Sequence, residues 1–231
     1  MKVVILAAGR GSRLGKLTDD SPKCFAIYRG KPLISWILEN ITQFFEQKDI
    51  HIVVGYRWKN FASLGINLIH NRDWKNSNIM GSLACADKIL STRNCLVIYS
   101  DIFFEADAIK IIKATPAPAV LSVSNWLEIW SKRFDNPLVD LENFQYNLDS
   151  MLLTKIGNRA ASIKSISGQF AGIFTLTPSL WQMFKSKNHN LQSMDTTSVL
   201  QKAILGGAEI SVVNYFGHWA EIDTYSDLES Q

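Results

Sequence analysis

The sequence predicts an α/β fold built on a mixed, mainly parallel sheet with a small antiparallel addition. Two observations predict it. Apolar, β-branched runs alternate with helix-period segments through residues 1–115, an order that implies parallel strands joined by crossover helices. From residue 116 onward, strand-like runs follow one another with turns between them, which adds antiparallel pairs.

In order, "KVVILAA" is a continuous apolar run stopped by Gly9, as a strand buried on both faces requires. "KPLISWILENITQFF" sets Leu33, Trp36, Ile37, Ile41 and Phe44 at helical spacing, with Pro32 near its start. "DIHIVVGY" is a second buried strand ending at a glycine, and "INLIHN" is a third, shorter one. "SNIMGSLACADKIL" reads as a helix and "NCLVIYSD" as an apolar strand ending on an acid. Beyond it, "PAVLSVSN", "ENFQYNLDSMLLTKIGN" and "GQFAGIFTLTP" read as antiparallel additions. "TTSVLQKAILGG" is a helix with its glycines at the far end. "EISVVNYFGHWAEIDTYSDLES" closes as a strand, a polar turn and a short helix. With no repeat, low-complexity tract or linker, one domain over 1–231 is expected.

Composition excludes several functions. The chain has 231 residues, 47% of them hydrophobic, enough to fill a core. Its net charge is +3 and its 24 basic residues are scattered, so no nucleic-acid surface is expected. Cys24, Cys85 and Cys95 lack metal-site spacing and are odd in number; they read as reduced thiols of a cytoplasmic protein. The apolar run Val3 to Ala8 is too short for a membrane span or a signal-peptide core. Oligomeric state is not set by these features; a homodimer is compatible with them.

"LAAGRGSRLG" holds two glycines two apart between arginines, directly after the first strand. Glycine lets backbone N–H groups approach an anion closely, so a strand running into such a turn is a phosphate-binding design. The dinucleotide fingerprint needs a third glycine where Leu14 stands, and an acid about 20 residues on, where the chain reads "YRGKP". A Walker A motif needs a hydroxyl after Gly15-Lys16, where Leu17 stands. Both fail at a chemically necessary position.

A third reading uses every residue. "LAAGRGSRL" followed by "SPKCF" resembles the signature of the nucleotidyltransferases, L-A-A-G-x-G-x-R with P-K eight residues beyond Leu14. The order of the later segments, "VVGY", "NSNIMGSL", a strand ending "SD" and a late "EID", extends the resemblance through almost the whole chain. It implies a three-layer Rossmann-like nucleotidyltransferase domain. The nucleotide-binding half would cover about 1–115 and the acceptor-binding half 116–231.

The reaction implied joins two anions, because an acceptor phosphate attacks the α-phosphorus of a nucleoside triphosphate and pyrophosphate leaves. Such a site must neutralise charge and align groups. By resemblance, the backbone of Leu6, Ala7, Ala8, Gly9, Gly11 and Ser12 cradles the triphosphate. Arg13 holds the leaving pyrophosphate and Lys23 sits at the reacting phosphates, the two catalytic side chains. Asp101 and Asp223 carry Mg²⁺, and Asp223 has an alternative as a cap of the last helix beside Thr224 and Ser226. Gly55 and Tyr56, after the second strand, and the amides of Gly81 and Ser82 form the base pocket. Arg10 reads as structural or solvent-facing, and His51, His70 and His189 as incidental. His218 lies beside the "EID" turn.

The compact chain, with Asn78 and Ser82 in "N-x-x-x-S-L", is similar to phosphocholine and aminoethylphosphonate cytidylyltransferases of bacterial surface-polysaccharide pathways, which implies CTP as donor. A small phosphorylated acceptor is expected: phosphocholine, aminoethylphosphonate or an amino-acid phosphate. Trp126, Trp130 and Phe134 with Asp140 and Glu142 would form an aromatic and acidic pocket for its ammonium, with Glu221 nearby. The bland alternative makes Trp126 and Trp130, four apart, one face of a covering helix. "LGKLTDD" departs from the proline-containing form of many relatives. A sugar-1-phosphate uridylyl- or guanylyltransferase, a catalytically silent nucleotide-binding protein and a D-x-D glycosyltransferase stay as rivals, the last disfavoured by "SDIFFEAD".

Overall fold

A computed structural model describes residues 1–229. The first half runs β1 (Lys2–Ala7), the short hairpin β2 (Ile27–Tyr28) and β3 (Lys31–Pro32), α1 (Leu33–Thr42), β4 (Ile50–Val54) and β5 (Asn67–His70). It continues with α2 (Ile79–Ala84), α3 (Asp87–Leu90), β6 (Cys95–Tyr99), β7 (Ile102–Phe104) and α4 (Ala106–Ala114). The second half runs β8 (Ala119–Val123), α5 (Trp126–Arg133), β9 (Glu142–Tyr146), β10 (Leu153–Arg159) and β11 (Gln169–Leu176). It closes with α6 (Pro178–Lys187), α7 (Thr196–Leu205), β12 (Ser211–Tyr215), β13 (Trp219–Glu221) and α8 (Tyr225–Glu229).

The seven strands of the main sheet lie in the order β12-β8-β11-β6-β1-β4-β5. Every neighbouring pair is parallel except the two made by β11, which is antiparallel to both β6 and β8. The alternation of β1 side chains explains the layers. Val3, Ile5 and Ala7 join a core with Ile34, Ile37 and Ile41 of α1 and Ile109 and Ile112 of α4. Val4 and Leu6 face a second core with Met80 of α2, Trp181 of α6 and Val199 and Leu200 of α7. A strand buried on both sides must be apolar throughout, and the outcome is a three-layer sandwich.

From β1 the chain winds outward through β4 and β5, then returns to place β6 on the other side of β1. Strand order therefore reverses between β1 and β6, and the carboxyl ends of both strands open onto one crevice. Ligands of open α/β sheets bind at such a point.

Several segment readings change. Of the expected antiparallel additions, "PAVLSVSN" and "GQFAGIFTLTP" become β8 and β11 of the central sheet, and "ENFQYNLDSMLLTKIGN" forms the separate antiparallel pair of β9 and β10. "SNIMGSLACADKIL" breaks at Cys85–Ala86 into α2 and α3, and Phe44 lies beyond the end of α1. The "polar turn" before "EID" contains β13, which pairs antiparallel with β7 so that Glu221 lies opposite Ile102. Among the described residues no helix is long and apolar enough to cross a membrane.

Candidate active site

A cavity of about 440 Å³ sits at the crevice between β1 and β6. Leu6, Ala7, Gly9, Gly11, Ser12 and Arg13 line one wall, and Tyr99, Ser100 and Asp101, at the end of β6, line the other. Lys23, Asn78, Ile79 and Asp223 complete it. Of the residues expected at the nucleotide, the structure thus brings the glycine turn, Arg13, Lys23 and Asp101 to one place. Asn78 caps α2, its side chain accepting from the Ile79 N–H at 2.7 Å.

Gly11 shows why the turn needs glycine. Its φ is +76°, and an added Cβ would lie 2.4 Å from Lys23 Cβ. The Lys23 N–H also donates to Arg10 O at 3.2 Å, so turn and lysine are built as one unit. Gly11→Ala should displace Lys23 and add about 1–3 kcal/mol of backbone strain. A lower melting temperature together with at least a tenfold loss of turnover is expected; unchanged turnover would separate the turn from the lysine.

Lys23 bridges two acids from distant parts of the chain. Its Nζ donates to Asp101 Oδ2 at 3.0 Å and to Asp223 Oδ1. Burial pulls its ammonium down, yet the charges and hydrogen bonds of Asp101 and Asp223 win and hold it above its ordinary value. Arg13 Nη1 donates to Asp223 Oδ2 at 2.8 Å from the rim, where its side chain is 73% exposed. The ladder between β7 and β13, with the Ile222 N–H donating to Asp101 O at 2.9 Å, joins these acids.

Asp101, Glu221 and Asp223 offer oxygens that all lie within 4.8 Å of one another. Burial first, then Asp223 and Asp101, pushes the Glu221 carboxyl up to about 8. The Lys23 ammonium already sits between Asp101 and Asp223; the three acids supply hard oxygen donors, which suit Mg²⁺ rather than a softer metal. The donor set fits that ion.

A second cavity, of about 230 Å³, adjoins the first across Tyr99 and Asp223. Trp130, Asp140, Glu142, Gln169, Phe170, Asp195 and Glu221 are among its walls. Trp130 stacks on Trp219 at 5.6 Å and donates its indole N–H to Asp140 Oδ2 at 3.1 Å. Gln169 clamps the Glu142 backbone, donating to its carbonyl at 2.7 Å and accepting from its N–H at 3.4 Å. Burial, and then the charges of Asp195 and Asp140, raise the Glu142 carboxyl against a hydrogen bond from Thr197.

Three expectations are corrected. Gly81 and Ser82 do not offer free amides to a base, because both N–H groups donate to Asn78 O inside the first turn of α2. Gly55 and Tyr56 line neither cavity. They brace the glycine turn from behind, with the Tyr56 N–H on Ala8 O at 2.9 Å and its hydroxyl on Thr18 O at 2.8 Å. Trp126 and Trp130 both belong to the core on one face of the sheet, as a covering helix would place them, and Phe134 packs against it; of the three only Trp130 also lines the second cavity. The aromatic walls of the second cavity are Trp130, Tyr99 and Phe170 instead.

Sequence reasoning missed Asp195, Gln169 and Arg133. Asp195 was hidden by its other task as the cap of α7, where it accepts from the Ser198 N–H at 2.7 Å. "MDTTS" shows that cap but not the cavity beside it.

Residues 3–140 match the MobA-like NTP transferase domain family. A CTP:phosphoglutamine cytidylyltransferase of Campylobacter jejuni is 31% identical, covering 100% of this chain and 99% of its own. Among solved structures, the inositol-1-phosphate CTP transferase of T. maritima superposes with a TM-score of 0.79 at 21% identity, covering 99% of this chain and 91% of its own. The CTP:phosphocholine cytidylyltransferase of Streptococcus pneumoniae does so at 0.74 and 20% identity, covering 99% and 96%.

Proposed function

The chain belongs to the MobA-like NTP transferase domain family and is a nucleotidyltransferase of the cytidylyltransferase type, and on that premise we propose that it transfers CMP from CTP to a small phosphorylated or phosphonate acceptor carrying an ammonium group. The observation that carries the acceptor class is the second cavity. Asp140, Glu142, Asp195, Glu221 and Asp223 line it with no Lys or Arg among its described lining residues, so it attracts cations.

In this reading an oxygen of the acceptor phosphate attacks the α-phosphorus of CTP. The bond from that phosphorus to its β-bridging oxygen breaks, and pyrophosphate leaves. The acceptor is already an anionic nucleophile, so no general base is needed. Backbone amides of the glycine turn hold the triphosphate. Lys23 moves off its carboxylates onto the reacting phosphate oxygens, and Arg13 meets the departing pyrophosphate at the rim. Asp101, Asp223 and Glu221 would hold Mg²⁺, which, when bound, neutralises phosphate oxygens. Asp140 and Glu142 orient the ammonium, with Trp130 and Tyr99 beside it.

Full-length similarity to a phosphoglutamine enzyme supports an amino-acid phosphate as the acceptor. With no Lys or Arg among the described residues of the cavity walls, phosphocholine or 2-aminoethylphosphonate, which carry no α-carboxylate, is favoured. The product would be an activated headgroup for surface-polysaccharide modification, made in the cytoplasm. Pyrophosphate release with Mg²⁺ tests the proposal, crossing CTP, UTP, GTP and ATP against these three acceptors and a hexose 1-phosphate. Turnover with CTP and an ammonium-bearing acceptor is expected; turnover only with a hexose 1-phosphate would discard the acceptor class.

Glu142→Gln keeps size and removes one charge. We expect the acceptor KM to rise about tenfold, the scale of one lost charge-assisted contact, with the KM for CTP unchanged. Equal changes in both constants would place Glu142 outside the acceptor pocket.

A further inference from the structure

Arg133, the last residue of α5, lines neither the nucleotide cavity nor the acidic one. It lines a third cavity, of about 580 Å³, on the far side of Glu221. Its side chain is only 11% exposed. Its Nε donates to Asp227 Oδ1 at 3.1 Å, and its Nη1 lies 3.5 Å from Glu221 Oε2. The other oxygen of Asp227 accepts hydrogen bonds from the Asp223 N–H at 2.9 Å, the Thr224 N–H at 2.8 Å and the Thr224 hydroxyl at 2.9 Å.

This geometry makes one guanidinium the common support of two acids. Glu221 is reached directly. Asp223 is reached through Asp227, whose carboxylate fixes the backbone that carries it. Asp101, the third acid, is tied from the opposite side by the Ile222 N–H. A planar guanidinium presents separate donors in a fixed fork, so it faces two carboxylates at different angles with its own orientation locked. Lys23 faces the nucleotide cavity and is needed at the phosphates during reaction; Arg133 stays behind the acids throughout.

We propose that Arg133 is a positioning residue, which sets the spacing of Glu221 and Asp223 and thereby the divalent-cation affinity of the acid cluster without touching substrate. The inference rests on the reading of Asp101, Glu221 and Asp223 as cation ligands. Loss of a partner that orients metal ligands costs about 10–100-fold in metal affinity. The Trp130 that bonds Asp140 lies on the same helix, so α5 supports both the acceptor wall and the acid cluster.

The test is Mn²⁺ binding to the full chain, measured by electron paramagnetic resonance with and without CTP, alongside kcat, KM and melting temperature. Arg133→Met should weaken Mn²⁺ binding about 10–100-fold and lower kcat at subsaturating metal, with the KM for CTP within threefold at saturating metal. Arg133→Lys keeps the charge and should fall between Met and wild type. Asp227→Asn retains a carbonyl for the Asp223 and Thr224 N–H groups but turns an amide toward Arg133, and should weaken Mn²⁺ binding at least tenfold. Folded Arg133 variants that bind Mn²⁺ within twofold of wild type would overturn the inference while leaving the metal reading intact. If Arg133→Met does not fold, Arg133→Lys and Asp227→Asn decide it by the same criterion. A wild-type chain that binds no Mn²⁺, alone or with CTP, would overturn both the metal reading and this inference.

Discussion

Lys23→Ala is expected to lower turnover by about 10²–10³-fold, the scale of one lost donor aimed at developing negative charge. The attack brings two phosphate groups together. In the proposed mechanism Lys23 is the cation at the point where they meet; its side chain is 12% exposed beside the β1 turn. In the wild-type protein its ammonium already bridges Asp101 and Asp223. The variant therefore also leaves Asp101 and Asp223 without the ammonium between them, a cost of about 1–3 kcal/mol. Added Mg²⁺ should recover the melting temperature but not turnover, because the metal replaces the lysine as a neighbour of the acids and not as a ligand of the reacting phosphate. Turnover within a few-fold of wild type would make Lys23 a structural counter-ion only. The same pairing has a pH signature. The folded-state value of Lys23 lies above its ordinary 10.5, so its contribution to stability is complete below about pH 10 and is lost as pH rises through the folded-state value.

Asp101→Asn is expected to abolish metal-dependent turnover, a loss of about 10³-fold or more, on the scale of removing a principal electrostatic element of catalysis, with the fold retained. Asparagine keeps the shape and one carbonyl oxygen but removes the charge that Lys23 pairs with and that the proposed divalent cation would use. The backbone link from Ile222 to Asp101 O does not involve the side chain, so the β7–β13 ladder should persist and the far-ultraviolet circular dichroism should not change. Mn²⁺ affinity should drop in parallel with turnover. Full activity with Mg²⁺ would remove Asp101 from the ligand set and leave Glu221 and Asp223 to explain the metal.

Much of the site was legible because its first half is local. The turn from Gly9 to Arg13, the Pro22-Lys23 step and the acid at the end of "LVIYS" are short-range patterns, and strand ends of a parallel sheet open onto the same edge. The acceptor side was harder to read. Trp126 and Trp130 are four apart on one helix and both enter the core, yet only Trp130 also reaches Asp140 and the second cavity. Helical spacing places two side chains on one face without saying which of them meets a cavity. Gly81 and Ser82 were assigned to the base pocket from motif position. Their amides are consumed by α2 itself, while Asn78 and Ile79, one turn earlier, line the cavity.

The sequence by itself determined the α/β class, the glycine turn after the first strand and the family to which the chain belongs, because each follows from patterns spanning a few residues or from a long motif. The tertiary structure alone decided which acids meet. Asp101 and Glu221 lie 120 positions apart, and only the antiparallel pairing of β7 with β13, a three-residue strand inside what reads as a polar turn, brings them within reach of one ion. The support behind them is less visible still. Arg133, Glu221 and Asp227 carry no shared spacing, and a guanidinium that spans two carboxylates is specified by the packing of α5 against the chain's last turn rather than by any local pattern.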